Sequence, residues 1–287
     1  MFGKRTSIFR FCFISFLLIL FIQACDLKHQ NQETTEPRYI VTSPELAEIL
    51  AAVDGTDRIY GITSECDYPL QLAPKKVVGT FGKIDIEKVI ALKPSLIFTS
   101  GLEQDKITAD LRKIGLNPIQ IYPKSVSGLL EAITTIGEVT GNVDRTRILR
   151  DSLSKIVTDA KKSISGLVKP KVYIEIYGSP IMSVSRESYI GELIELAGGK
   201  NIFSGLSREY SRIKPEEVVL KNPDVILLTY PGVRAEDILQ RKGWGIINAC
   251  RNSRIYSRKD LDPDLIIRAT PRSLRSIYKL REIFYEK

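Results

Sequence analysis

Apolar and polar positions alternate between two periods along most of the chain. Residues 38–41, Arg-Tyr-Ile-Val, read as a strand, and Ser43-Pro44 then opens a helix with a capping hydroxyl and a proline at the first helical position. Leu46, Ile49, Leu50 and Val53 fall on one helical face, and Gly55 ends the segment. The same reading predicts strands over 58–62, 96–99 and 118–122, with helices over 84–92, 105–114 and 129–140 between them. The loop CDYP (66–69) breaks the pattern. The run at 96–99 is apolar on both faces, as expected for a strand inside a parallel sheet.

A different pattern covers residues 142–167. There is no proline, and Val143, Ile148, Leu149, Leu153, Ile156 and Val157 recur at helical spacing among alternating charges. This predicts one long helix of about 37 Å, stopped by Lys169-Pro170. A second alternating set follows. Strands are expected over 171–177, 225–228 and 253–257, and helices over 189–197, 214–221, 235–241 and 271–285. Strands alternating with helices indicate an α/β fold with parallel sheets. The predicted architecture is two α/β lobes, 38–141 and 168–287, joined by the single helix 142–167.

The two halves share a module. IEKVIALKPSLIFT (86–99) and PEEVVLKNPDVILL (215–228) align without a gap at an offset of 129 residues. Each carries a glutamate, Glu87 or Glu216, in the first turn of its helix, and a proline, Pro94 or Pro223, that stops the helix before a buried strand. An acid in a first helical turn gains about 0.3–1 kcal/mol from the helix dipole. That accounts for tolerance of a glutamate; the match between lobes follows either from shared ancestry or from a shared task.

The N-terminus has its own organisation. Lys4, Arg5 and Arg10 precede a run of 12 residues without a charge (11–22), which is short for a membrane span and has the form of a signal-peptide core. It ends in Ile22-Gln23-Ala24-Cys25, which resembles the bacterial lipobox; that resemblance makes 1–24 a signal peptide and Cys25 the acylated first residue of an envelope lipoprotein. Residues 25–37 are polar and read as a tether. Of the formal net charge of +8, three positive charges belong to the signal segment. The remainder is mildly basic and lacks the dense basic runs of a nucleic-acid binder. The only histidine, His29, lies in the tether, which removes Ser-His-Asp and histidine-rich zinc chemistry from the folded part. Glycine-rich phosphate loops and metal-spaced cysteine clusters are lacking too, so neither an enzyme nor a resident metal is expected. Cys66 and Cys250 are read as two buried thiols, although an oxidising compartment would also permit a disulfide.

Five stretches together resemble the class III periplasmic binding proteins of ABC importers, and most of all the cobalamin- and corrinoid-binding group. They are GITSECDYP (61–69), VVGTFGKIDIEKVIALKPSLIF (77–98), ESYIGELIELAGGKNIF (187–203), the PEEVV copy of the repeat, and LDPDLIIRATPR (261–272). The resemblance implies two Rossmann-like lobes with a ligand cleft between them and a rigid helical connection. It implies a monomer, anchored by lipid on the outer or periplasmic face of the cytoplasmic membrane, that delivers its ligand to a permease dimer with ATPase subunits. By the same resemblance Glu87 and Glu216 dock on the two permease subunits. The ligand-facing set carried over is Phe81, Tyr210, Met182, Asp264, Arg268 and Tyr68, with Glu65 and Ser100 standing where the cobalamin pattern has aromatics. Tyr68 alternatively packs its loop, and Asp264 with Arg268, four apart, alternatively forms a surface pair. The implied ligand is a cobalt corrinoid, cobalamin or cobinamide-like, with haem or a ferric siderophore as the alternatives. A surface or sensory lipoprotein without transport is the remaining reading.

Overall fold

The computed structural model describes residues 36–285. The expected signal segment, Cys25, His29 and most of the tether lie outside the described residues. The first lobe runs β1 (Tyr39–Val41), α1 (Pro44–Asp54), β2 (Ile59–Thr63), β3 (Lys76–Thr80), β4 (Lys83–Ile84), α2 (Ile86–Ala91), β5 (Leu96–Thr99), α3 (Asp105–Lys113), β6 (Pro118–Gln120) and α4 (Val126–Thr140). Its six-stranded sheet has the order β4-β3-β2-β1-β5-β6, parallel except for the β3–β4 hairpin. The connecting helix α5 spans Val143–Ser163.

The second lobe runs β7 (Lys171–Glu175), β8 (Tyr177–Gly178), β9 (Ile181–Val184), α6 (Tyr189–Leu196), β10 (Lys200–Asn201), β11 (Tyr210–Arg212), α7 (Pro215–Lys221), β12 (Val225–Leu228), α8 (Ala235–Leu239), α9 (Asn248–Arg251), β13 (Ile255–Tyr256), α10 (Asp264–Ile267), α11 (Pro271–Arg275) and α12 (Ile277–Tyr285). A parallel sheet of order β10-β7-β12-β13 forms its core, and the antiparallel strands β11-β9-β8 form a second sheet. The fold is thus the two-lobed α/β arrangement with parallel-rich sheets. Among the described residues no helix is long and apolar enough to cross a membrane.

The sequence repeat is also a repeat in space. Leu96 lies opposite Tyr39, and Val225, 129 residues later, lies opposite Val172, so each copy supplies the strand beside the first strand of its lobe. Val89 and Val218 are the buried residues of α2 and α7. Lys93 and Asn222, which end those helices, both take left-handed backbone with φ of 49° and 45°. Ser95 N donates to Arg38 O and Asp224 N to Lys171 O, each at 2.8 Å.

Several elements differ from the sequence reading. The connecting helix has 21 residues, about 31 Å, rather than the expected span of 142–167. Thr146, Leu153 and Ala160, one residue every two turns, are its fully buried residues, Leu149, Ile156 and Val157 pack half-buried against the core, and Val143 and Ile148 are exposed. Gly137 of α4 lets the two helices approach so closely that an added Cβ would overlap Thr146. The expected last helix, 271–285, is two helices. Ser276 Oγ lies 2.7 Å from Ser273 O and 2.8 Å from Leu265 O, two carbonyls within reach of its one proton, and this side-chain bonding to the backbone coincides with the break. The helix expected over 84–92 begins only at Ile86, because Lys83 and Ile84 pair with β3 and Asp85 caps the helix. Cys66 and Cys250 are free thiols, buried in separate apolar clusters.

Candidate functional site

The carboxyl ends of parallel strands are where α/β sheets place their ligands. Here the segments following β1, β3, β5 and β6 converge with residues of the second lobe on a cleft of about 270 Å³. From the first lobe come Glu45, Phe81, Ser100, Glu103 and Tyr122; from the second come Tyr189, Tyr210, Ile267 and Ala269. Three of the expected residues, Phe81, Ser100 and Tyr210, are therefore together.

Phe81 sits at the tip of the β3–β4 hairpin and is fixed from both sides of its peptide backbone. Its N–H donates to Glu65 Oε2 at 2.8 Å and its carbonyl accepts from Gln104 Nε2 at 2.9 Å. Gln104 is fully buried, and its Oε1 also accepts from Thr42 Oγ1 and Ser100 N, each at 2.7 Å. One amide thus sets the positions of two cleft residues. Ser100 Oγ donates to Glu45 Oε1 at 2.7 Å, which orients that carboxylate in the first turn of α1. Glu65 therefore acts on the hairpin carrying Phe81. Tyr122 packs on Gly101, where an added Cβ would fall 2.9 Å from Tyr122 Cβ.

Tyr122 also crosses between lobes: its hydroxyl donates to Glu209 Oε2 at 3.1 Å, and Lys124 pairs with Glu209 at 3.3 Å. Burial, then the neighbouring Tyr210 and Glu209, raise the Tyr122 phenol above its ordinary value, so it stays a neutral donor. Burial raises Tyr210 likewise.

The remaining expected residues lie around this cleft. Arg268 is not among the residues that line the cleft, although its neighbours Ile267 and Ala269 are. It reaches Asp67 at 2.7 Å, Asp264 at 3.0 Å and Glu48 at 3.3 Å. Arg272 adds a second bond to Glu48 at 2.9 Å, and its guanidinium lies 4.1 Å from the centroid of the Tyr68 ring. Asp264, Arg268 and Tyr68 thus belong to a cluster of ion pairs and stacking that ties the lobes together. Burial pushes the Asp67 carboxyl up, but the hydrogen bond and charge of Arg268 outweigh it and hold the group below its usual range. Asp264 is raised, because burial there exceeds the pull of Arg268.

Met182 lies on β9 in a depression of about 590 Å³ that also holds Ser207, Arg208, Ser211 and Arg212 and shares Tyr210 with the cleft. Glu87 and Glu216 are both exposed, in the first turns of α2 and α7. Sequence reasoning passed over Glu45, Gln104, Tyr122 and Glu209. Tyr122 carried a legible signal, an aromatic at the carboxyl end of a predicted sheet strand; Gln104 carried none.

Comparison with known proteins agrees with this geometry. The family model described as "Periplasmic binding protein" matches residues 40–261. An uncharacterized ABC transporter substrate-binding lipoprotein of Bacillus subtilis, YvrC, is 30% identical over 89% of this chain and 83% of its own. The vitamin B12-binding protein of Vibrio parahaemolyticus is 25% identical over 94% of this chain and 96% of its own. In fold, the chain is similar to the periplasmic vitamin B12 binding protein BtuF of Vibrio cholerae, with a TM-score of 0.74 and 22% identity over 86% of this chain and 96% of that one. It is similar also to the periplasmic heme-binding protein RhuT of Roseiflexus sp. RS-1, with a TM-score of 0.77 and 21% identity over 87% and 98%. A two-lobed fold with its cleft at the strand ends, matched by the family model over most of its length, places this chain among the periplasmic binding proteins: it is an ABC-transporter substrate-binding protein and not an enzyme.

Proposed function

We propose that this protein, anchored to the cell envelope through Cys25, captures a corrinoid and delivers it to the permease dimer of an ABC importer. The observation that carries the ligand class is the lining of the cleft. Phe81 and Tyr122 from one lobe and Tyr210 from the other line it, backed by the buried Tyr189, an aromatic lining suited to a broad, flat macrocycle. No lysine or arginine lines this cleft, whereas Glu45 and Glu103 do, so the cleft itself suits a ring rich in amide donors around a cationic metal. The relatives that bind vitamin B12 support the same choice.

Delivery rests on the two exposed glutamates. Each stands beside an exposed apolar side chain on its own helix: Ile90 three residues after Glu87, and Leu220, 86% exposed, four residues after Glu216. Both helices thus present a charge and an apolar contact outward from their lobes. Exposed ion pairs of this kind contribute mainly to orientation and association rate.

Isothermal titration of the purified protein with cyanocobalamin, cobinamide, haemin and a ferric siderophore tests the ligand. Trp244, the only tryptophan, is buried in a separate cluster of the second lobe, so calorimetry reads the cleft better than its fluorescence. Binding of at least one corrinoid in the nanomolar to micromolar range is expected. Saturation by haemin or the siderophore with no heat from either corrinoid would overturn the corrinoid reading.

A further inference from the structure

The depression next to the cleft is built differently from the cleft itself. Its lining, Met182, Ser207, Arg208, Tyr210, Ser211 and Arg212, holds two arginines and no acid. The cleft holds Glu45 and Glu103 and no base. Tyr210 lines both, so the two regions adjoin at its ring and carry opposite charge on its two sides. The arrangement follows from the antiparallel sheet of the second lobe. Arg212 on β11 lies opposite Met182 on β9, and Met182 lies opposite Tyr177 on β8. Side chains directly opposite in such pairs are neighbours on one face, so a guanidinium, a thioether and an exposed phenol stand in a row. Tyr210 and Arg212, two apart on β11, share a face. Arg208 and Arg212 are both exposed and make no ion pair among the described residues, while most other basic groups near the lobe boundary are paired: Arg268, Arg272 and Lys124 all hold carboxylates.

We infer that Arg208 and Arg212, beside Met182 and with Tyr210 shared with the cleft, form a subsite for an anionic group carried at one edge of a ligand whose macrocycle occupies the cleft. Paired guanidinium forks match the oxygens of a phosphodiester or a carboxylate. This rests on the corrinoid reading and sharpens it. A complete corrinoid carries a phosphodiester in its nucleotide arm; cobinamide lacks it. Haem presents carboxylates at its edge instead. The subsite therefore selects complete corrinoids over cobinamide, although the two share the same ring.

The test compares the wild-type protein with the double variant Arg208→Gln and Arg212→Gln by calorimetric titration with cyanocobalamin, cobinamide and haemin at low and high salt. The expected result is a loss of about tenfold for cyanocobalamin, no change for cobinamide, and a weaker salt dependence of cyanocobalamin binding in the variant. If only haemin binds and the variant weakens it, the anion subsite stands and the corrinoid reading falls. If a corrinoid binds wild type and the variant loses no affinity, or loses it equally for cobinamide and cyanocobalamin, the subsite is overturned while the corrinoid reading stands. Binding of none of the three probes overturns both.

Discussion

Gln104 shows how much of a binding site can depend on a residue that does not face it. Its amide makes four hydrogen bonds, to Thr42 Oγ1 and Thr42 O and to the backbone of Phe81 and Ser100, and it is buried completely. Replacing it by leucine leaves several buried polar groups without partners. The expected cost is about 2–4 kcal/mol in urea unfolding, together with weaker ligand binding, because Phe81 and Ser100 lose their common anchor. A Phe81→Ala variant should weaken binding with little effect on stability, and that contrast separates positioning from contact. Cys66 makes a second prediction at this scale. Burial, opposed by its hydrogen bonds with Thr63, pushes the thiol up from the ordinary 9.0 to about 11. Its proton is held more tightly in the folded state, so its contribution to stability is complete below pH 9 and is lost as pH rises towards 11. At pH 8 neither Cys66 nor Cys250 should react with a thiol reagent until the protein is unfolded.

Among the elements, the contact between α4 and α5 is sensitive to a single side chain. Gly137 lies against Thr146, and no Cβ fits between them. Gly137→Val should cost about 1–3 kcal/mol by thermal or urea unfolding, despite the better helix-forming context of a residue with a side chain. The same helix pair shows where sequence patterning stops being informative. The 3.6-residue period located α5, but it gave apolar Val143 and Ile148 the same weight as Leu153, whereas those two are exposed while Thr146, Leu153 and Ala160 are buried and Leu149, Ile156 and Val157 pack half-buried beside them. The repeat was more legible, because Val89 and Val218, Lys93 and Asn222, and the prolines after them obey local rules of burial and helix termination. The antiparallel sheet β11-β9-β8 was not legible. Its strands have two to four residues, too few for a period-two pattern to register. Met182 was identified by resemblance, but its pairing with Arg212, and with it the basic region beside the cleft, emerged only in three dimensions. Arg268 illustrates a further limit: its chemistry suits a ligand contact or an ion pair equally well, and its partners Asp67, Asp264 and Glu48 are brought to it only by the fold.

For the whole molecule, the ties between lobes bear directly on transport. Glu48 of α1 accepts from Arg268 and Arg272, Glu209 holds Tyr122 and Lys124, and Glu192 of α6 accepts from the backbone N–H of Val126 at 2.7 Å. With α5 packed along both lobes, these contacts favour a nearly constant distance between Glu87 and Glu216. A rigid body with two outward charges is suited to bridging two equivalent permease subunits, since neither contact then spends binding energy on ordering the other. An exposed ion pair is worth at most about 1 kcal/mol, a factor of about five in affinity. The two sites lie in different lobes and share no partners, so their losses should add. Glu87→Ala or Glu216→Ala alone should therefore weaken docking by up to about fivefold, and the double variant by up to about 25-fold. Affinity for the ligand should be unchanged, because neither residue lines the cleft. Uptake into proteoliposomes containing the cognate importer, measured across a range of binding-protein concentrations, reads this directly. A rightward shift of the concentration dependence at constant ligand affinity is expected, largest for the double variant. Uptake by the double variant that coincides with wild type would exclude the glutamates from docking and return the repeat to a relic of common ancestry.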